Sequence, residues 1–511
     1  MAAASRENLN ITPGMPPASR RQGRRVRGVD AGFLYVESAV QTSACVDVVL
    51  LAAPEHGSPA LTRDALLERL AARADRVPHL HRRLHHVPGG LGHAVWADDH
   101  RFVLDDHVHH ATMPAPSGEA EFLDVRAAGD RMLDEWLAAE VTASHLPLDR
   151  PLWDVTLLDG FPDGRQALVH RFHHTLGDGT ATIAMLTELL DDRAIEVPSP
   201  ALPADHARQR PPNGIVLLVV ALLRLVVLLT TIPALVLRTS RRAKAVKARR
   251  ARAEHRVPGM AGDAPRTVLD ISRDTERRLG RAHLHLDDVR KVRDAVGVSL
   301  SDVVVSLVAG ALRDHLAERD ALPEAPLVVN VPLGNDPVGA RPRLRGNCFV
   351  NYYALLPTHL DDPRDRLRST ADHAREAKLQ LELQGRTLIP TWLDRIPPRL
   401  AAAAARGMGE KAASGENPPD FNVLVSNLKV PRSGWTLDGR TIESVFLLGP
   451  LTSGNGINIT VTGYGDVLTC GVHTNPAAVP DPSSIARAME AELANLLAVH
   501  GLSCTTCAKV A

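Results

Sequence analysis

Apolar positions along this chain fall into short runs separated by turn residues, and the runs mark out elements. Val46-Asp47-Val48-Val49-Leu50-Leu51 is a strand-like run. Over 61–74, Leu66, Leu67, Leu70 and Ala71 recur at helical spacing, between Thr62, a residue type that caps helices, and the breaker pair Val77-Pro78. Residues 152–158 and 166–172 flank the turn-forming Gly160-Phe161-Pro162-Asp163-Gly164 and predict a hairpin. Its second strand runs directly into His173 and His174. A helix follows at about 181–190, with Ile183, Leu186 and Leu190 on one face.

The composition changes over 198–264. Pro198, Pro200, Pro203, Pro211 and Pro212 mark a connector, after which 215–237 is apolar except for Arg224. Arg241, Arg242, Lys244, Lys247, Arg249, Arg250 and Arg252 follow at once. Beyond 265 the globular pattern resumes, with helices near 286–295 and 299–316 and a last helix over 482–497. Strands are predicted near 327–331, 349–356, 422–425, 457–462 and 467–472. Because strands and helices intermix in both halves, the pattern predicts an α/β (α+β) protein of two lobes. The expected divisions are a basic arm over 1–28, a first lobe over 29–197, a linker over 198–264, a second lobe over 265–500 and a loose tail over 501–511.

Length and charge narrow the classes. A chain of 511 residues exceeds what one hydrophobic core organises, and 44% hydrophobic with 23% charged residues is a globular composition. Lys+Arg and Asp+Glu stand at 59 each, so no bulk positive field exists to hold a nucleic acid, and none is expected as a partner. Cys45, Cys348, Cys470, Cys504 and Cys507 are odd in number and scattered, which fits a reducing compartment rather than a disulfide framework. Arg20, Arg21, Arg24, Arg25 and Arg27 lie in an N-terminal segment without the apolar core of a signal peptide, so it reads as a solvated arm.

The sharpest chemical feature is His173-His174-Thr175-Leu176-Gly177-Asp178-Gly179, an HHxxxDG sequence between a strand and a helix. Imidazole titrates near neutrality, so a histidine held at a strand end can take a hydroxyl proton at pH 7 once its tautomer is fixed. Asp178 is placed to hold the ring or the loop, and Gly179 to allow a backbone turn that a Cβ would obstruct. His85-His86 and His109-His110 have no acid and glycine at that offset and read as surface residues. His107, His109 and His110 lack a carboxylate or cysteine at metal-ligand spacing, so no metal is expected. No serine sits in a GxSxG nucleophile elbow, and Cys504-x-x-Cys507 stands in a short tail without a second ligand pair. Trp96 and Trp153 read as packing residues.

HHxxxDG resembles the active-site motif of coenzyme A-dependent acyltransferases, and the surrounding chain resembles the bacterial wax ester synthase/acyl-CoA:diacylglycerol acyltransferase family. The resemblance is carried by Asp30-Ala31-Gly32-Phe33-Leu34 with Glu37, Val95-Trp96-Ala97-Asp98-Asp99, Leu104-Asp105-Asp106-His107-Val108 and Pro147-Leu148-Asp149-Arg150-Pro151-Leu152-Trp153. In the second half it continues through Ser301-Asp302-Val303-Val304, Gly346-Asn347, Val425-Ser426-Asn427, Gly449-Pro450 and Gly456-Ile457-Asn458-Ile459. It implies two chloramphenicol-acetyltransferase-like lobes with mixed sheets and a tunnel between them. By the same resemblance His174 is the general base for attack of an acceptor hydroxyl on an acyl-CoA thioester, His173 shapes the site, and Asp178 is mainly structural. Asp302, Asn347, Ser426 and Asn427 become candidates to line the channel or to stabilise the oxyanion. Two positions depart from the pattern: Ser301 stands where the family usually has asparagine, and Leu428-Lys429-Val430-Pro431 replaces the expected proline-glycine turn.

The implied activity transfers a long acyl chain to the hydroxyl of diacylglycerol or of a long-chain alcohol, with acyl-CoA as co-substrate and no cofactor. Another acyl acceptor, or a non-catalytic lipid-binding role, are the alternatives. As a helix, 215–237 would extend about 34 Å, enough to span a bilayer. A single pass would put two lobes that share one site on opposite sides of the membrane. The segment is therefore expected to lie in the interface or to re-enter as a hairpin near Pro233, with a buried inter-lobe helix as the alternative. The expected location is cytoplasmic, peripheral to the inner membrane face or to lipid droplets.

Overall fold

The computed structural model describes residues 24–55, 59–114, 124–192, 213–259, 262–272, 274–337, 339–415, 417–430 and 434–505. Most of the basic arm, the proline-rich connector over 198–212, Pro431 and Cys507 lie outside the described residues. The strands are β1 (Arg24–Arg25), β2 (Ala44–Leu51), β3 (Arg82–His85), β4 (Val95–Asp98), β5 (Val108–Thr112), β6 (Trp153–Asp159), β7 (Gln166–His173) and β8 (Arg278–His285). They continue as β9 (Leu327–Gly334), β10 (Phe349–Leu356), β11 (Val423–Lys429), β12 (Thr436–Leu437), β13 (Arg440–Leu448), β14 (Ile457–Tyr464) and β15 (Val467–Thr474). The helices begin with α1 (Gly28–Tyr35), α2 (Arg63–Arg73), α3 (Val125–Trp136), α4 (Gly179–Leu190), α5 (Gly214–Arg250) and α6 (Leu286–Val296). They end with α7 (Leu300–Ala317), α8 (Pro363–Gln384), α9 (Leu388–Arg395), α10 (Pro398–Ser414) and α11 (Pro482–Val499).

Two six-stranded mixed sheets organise the lobes, in the orders β12-β13-β2-β7-β6-β5 and β10-β9-β11-β14-β15-β8. The expected hairpin is β6 and β7, paired antiparallel from Trp153↔Phe172 to Leu158↔Ala167. Beside it β2 is buried along its whole length, which is why its sequence reads as a continuous apolar run. Trp153 is buried and donates its indole N–H to the Leu80 carbonyl at 2.9 Å, so it packs the lobe as expected. In the second lobe, α7 is buried along most of its length between the sheet and α8 and α11.

The sheets do not respect the division at the linker. Although β12 and β13 belong to the second half of the chain, β13 pairs antiparallel with β2 and extends the first sheet. Leu447 N–H donates to Thr462 Oγ1 on β14 at 3.2 Å, so the same strand ties the sheets together. Contacts run the other way as well. A Cβ on Gly28 in α1 would lie 2.1 Å from the Leu393 carbonyl carbon of α9, so glycine is what lets these helices from opposite halves touch. The lobes are therefore bolted together through main chain.

The apolar segment is one 37-residue helix, α5, and it runs unbroken through Pro233. This corrects the expectation of a hairpin there. One end is docked through Leu217 and Ala221 against Val87 and Val95, and the other through Arg242 on the Gln384 carbonyl and Arg249 on Glu376. A helix held at both ends has no need to fold back at a proline. The buried inter-lobe helix is also excluded, since only 11% of the apolar window is covered; Ile215, Leu223, Val226 and Leu229 are 61–72% exposed.

Three buried histidines give the fold a pH dependence. Burial pushes His93, His315 and His473 down to about 4 from an ordinary 6.5. Between those values the unfolded chain binds protons that the folded histidines exclude, so their contribution is complete above pH 6.5 and is lost as pH falls toward 4, while Asp134 and Asp270, which burial raises to about 6, act in the opposite sense over the same window. With three histidines set against two carboxyls the urea midpoint is expected to drop as pH falls across that window, and His473→Gln, which retains a donor for the Gly449 carbonyl, to flatten the slope; a slope unchanged in His473→Gln contradicts the assignment.

Candidate active site

The paired histidines sit where β7 ends. Ala44 pairs with His173, and the His174 N–H continues the ladder by donating to the Ser43 carbonyl at 2.9 Å. The side chains have different surroundings. The His173 ring is fully buried, and its Nδ1 accepts the Thr175 N–H at 3.0 Å. In its neutral form that leaves the proton on Nε2, which lies 3.3 Å from Glu37 Oε1. Burial pushes the Glu37 carboxyl up, but His173 and the Ser43 N–H outweigh it and hold the group below its ordinary value. His173 is thus tied into the floor of the site.

His174 stands at the seam of the lobes. Its ring stacks on Phe33 of α1, with centroids 3.8 Å apart and planes 5° from parallel, while Phe349 of β10 approaches to 6.0 Å at 49°. Nδ1 is sealed from solvent, so Nε2 is the nitrogen left to meet a substrate. Burial lowers the His174 pKa and keeps the imidazole neutral, the form a general base requires.

Asp178 makes no direct hydrogen bond to the His174 ring. One oxygen caps α4 through the Ala181 N–H at 3.1 Å. Arg343 Nη2 reaches both oxygens, at 3.0 and 2.8 Å, and the Cys348 N–H donates to the second at 2.7 Å. Arg343 is shared with Asp336 through Nε at 2.6 Å. Burial works against the guanidinium charge, but Asp336 and Asp178 outweigh it and raise the Arg343 pKa. Gly179 serves space rather than a turn, because its φ is ordinary and a Cβ would lie 2.4 Å from Leu428 Cδ1.

Asn347 completes the seam. Its side-chain amide donates to the His174 carbonyl and to Asp30 Oδ1, each at 2.8 Å, and its backbone N–H reaches the same Asp30 oxygen at 2.8 Å. The other candidates lie in different settings. The Asp302 carboxylate closes the capping box of α7 on the Ser299 N–H at 2.9 Å and lies 3.5 Å from Lys378 Nζ. Asn427 donates to Ser301 Oγ at 3.0 Å, so Ser301 has a polar partner. Ser426 pairs with Thr460 in register, on the opposite face of β11 from Asn427. Sequence reasoning did not single out Arg343, which sits in a basic run, Arg341-Pro342-Arg343-Leu344-Arg345, and whose partner in the site, Asp178, is 165 residues away. Asp30 and Glu37 were visible only as part of a resemblance.

Two lobes, each a mixed sheet with helices, with HHxxxDG at their seam, define the chloramphenicol-acetyltransferase-like acyltransferase fold. The profile described as the wax ester synthase/diacylglycerol acyltransferase catalytic domain matches residues 26–304, and that of the C-terminal domain matches residues 345–497. The chain belongs to this family. A Mycobacterium tuberculosis protein named as a diacylglycerol O-acyltransferase is 30% identical over 486 residues, covering 94% of this chain and 97% of its own. A second from the same organism is 30% identical over 485 residues, covering 93% and 90%. The solved wax ester synthase/diacylglycerol acyltransferase of Marinobacter aquaeolei VT8 matches with a TM-score of 0.62 and 25% identity, over 94% of this chain and all of that one. The starter condensation domain of rhizomide synthetase, solved with C8-CoA, shares the fold at a TM-score of 0.51 and 14% identity, over 94% and 95% of the two chains.

If Asp178 acts through the seam, Asp178→Asn and Arg343→Met are expected to lower kcat equally, about 10- to 100-fold, and the double variant to add little. Kinetics on all three variants checks this; additive losses contradict a shared role.

Proposed function

We propose that this protein transfers a long-chain acyl group from acyl-CoA to the hydroxyl of diacylglycerol or of a long-chain alcohol, with His174 as general base. The observation that carries the reading is the neutral His174 ring at the lobe seam, with Nδ1 sealed and Nε2 left for substrate. The acceptor gives its proton to Nε2 as its oxygen attacks the thioester carbonyl. The tetrahedral oxyanion then collapses, the carbon–sulfur bond breaks, and the coenzyme A thiolate takes the proton back from the imidazolium. A thioester is already activated, so a base and alignment of two long substrates suffice for this route. Asn347 is proposed to serve the site by holding the histidine loop, and Asn427, with its Ser301 partner, to line the channel, whereas Ser426 lies on the other face of β11 and Asp302 is engaged in the cap of α7.

The acceptor class agrees with α5. Its exposed apolar face continues into a basic stretch, a combination that favours lying along an anionic lipid surface. Docking of its two ends on one body argues against a transmembrane path. Burial lowers the Arg224 pKa while the charge of Asp394 opposes the shift, so this cation has a protein counter-charge beside it. The reading places the protein in the cytoplasm, against the inner membrane face or a lipid droplet, and the free thiols of Cys45, Cys348 and Cys470 agree with a reducing compartment.

Thin-layer analysis with labelled palmitoyl-CoA and either diolein or hexadecanol tests the chemistry. Wild type is expected to yield ester and His174→Ala to lose about 10²- to 10⁴-fold; undiminished product from His174→Ala overturns the base assignment. Flotation with phosphatidylglycerol vesicles tests the surface. Replacing Leu223, Val226 and Leu229 by aspartate is expected to lower vesicle binding at least about tenfold, and unchanged flotation contradicts docking through α5.

A further inference from the structure

A large aromatic ring at an active-site seam is usually accounted for as core packing. Phe33 is not: it belongs to none of the described apolar clusters, although its neighbours Ala31, Leu34 and Tyr35 pack with the first-lobe core. Phe33 is only partly buried, and its closest ring contact is the parallel stack on His174, with Phe349 next at 6.4 Å.

Main chain registers the two rings. Ser43 Oγ donates to the Phe33 carbonyl at 2.7 Å, and the Ser43 carbonyl accepts the His174 N–H at 2.9 Å, so one residue fixes both backbones. Three residues earlier on α1, and so on the same face, Asp30 holds Asn347, which holds the His174 carbonyl. The Asp30 carbonyl accepts Thr175 Oγ1–H at 3.0 Å. The helix is pinned in turn, since the Gly28 N–H donates to Asp394 Oδ1 at 2.6 Å. One turn of α1 thus grips the histidine loop by its main chain and the imidazole by its face.

Nδ1 makes no hydrogen bond of good geometry and has only its own carbonyl and the Asn347 side chain as close polar neighbours, so rotation about the Cβ–Cγ bond is restrained in large part by what packs on the ring. We propose that Phe33 is a positioning residue for acyl transfer: its ring fixes the plane in which His174 Nε2 meets the acceptor hydroxyl and keeps water off that face of the base. The inference rests on His174 being the base.

Phe33→Tyr, Phe33→Leu and Phe33→Ala separate the ring from the space it fills. Tyr keeps the stack and is expected to retain kcat within about threefold. Leu fills the space and maintains folding but loses the flat face, so kcat is expected to fall about tenfold with KM for palmitoyl-CoA and hexadecanol unchanged within twofold. Ala also admits water. Its kcat is expected to fall about 100-fold, and the acid limb of kcat/KM to move to higher pH, because the hydrated imidazole binds a proton more readily. Wild-type kcat in Phe33→Leu, losses confined to KM, or an unmoved acid limb in Phe33→Ala overturns the proposal. If His174→Ala is inactive while Phe33→Leu matches wild type, only the role of Phe33 falls. If His174→Ala is active, the base assignment falls first.

Discussion

The HHxxxDG loop exists in its present shape because the second half of the chain holds it by charge and by hydrogen bonds. Arg343 and the Cys348 N–H saturate the Asp178 carboxylate, while Asn347 joins Asp30 to the His174 carbonyl. The Gly346 N–H donates to the Leu176 carbonyl, in a parallel bridge between Gly177 and Gly346. These contacts bury polar groups that would each be costly if left alone. Separating the lobes would therefore disassemble the site, and the exchange of β13 into the first sheet resists that separation.

The same arrangement assigns the two histidines different work. His173 is fixed by a backbone N–H and a carboxylate and has no open side. His174 is held by its main chain and by aromatic faces, with Nδ1 sealed from solvent and only its own carbonyl and the Asn347 side chain as polar neighbours. A base held by apolar contacts stays neutral; one held by a carboxylate would be biased toward its protonated form. Asp178 is consistent with this division, since it stabilises the loop through Arg343 and the α4 cap.

Local features were legible in the sequence. The β6–β7 hairpin, the strand over 46–51 and the helix after HHxxxDG follow from turn residues and apolar period, and the histidine motif is itself contiguous. Elements whose reason for existing is distant were not. In β13, Glu443 and Ser444 interrupt the apolar run, and its partner β2 lies nearly four hundred residues earlier. The highly charged α8 carries little apolar signal, yet it packs on α7 and β10. The sequence pointed to Gly179 for a turn, whereas what crowds a Cβ there is the Leu428 side chain, which belongs to the other lobe. Long-range pairing likewise hid Arg343 and the stacking role of Phe33. The apolar run of α5 was plain, whereas its unbroken course through Pro233 goes with docking at both ends, which the sequence does not display.

A crystal structure with a thioether analogue of palmitoyl-CoA addresses the base assignment at its root. The account predicts that the analogue's reacting carbon lies at the lobe seam, about 3.5–5 Å from His174 Nε2, which leaves room for an acceptor oxygen between them, with the imidazole still flat against Phe33. A pantetheine arm that runs elsewhere, or an imidazole turned to present Nδ1 to the ligand, would contradict it.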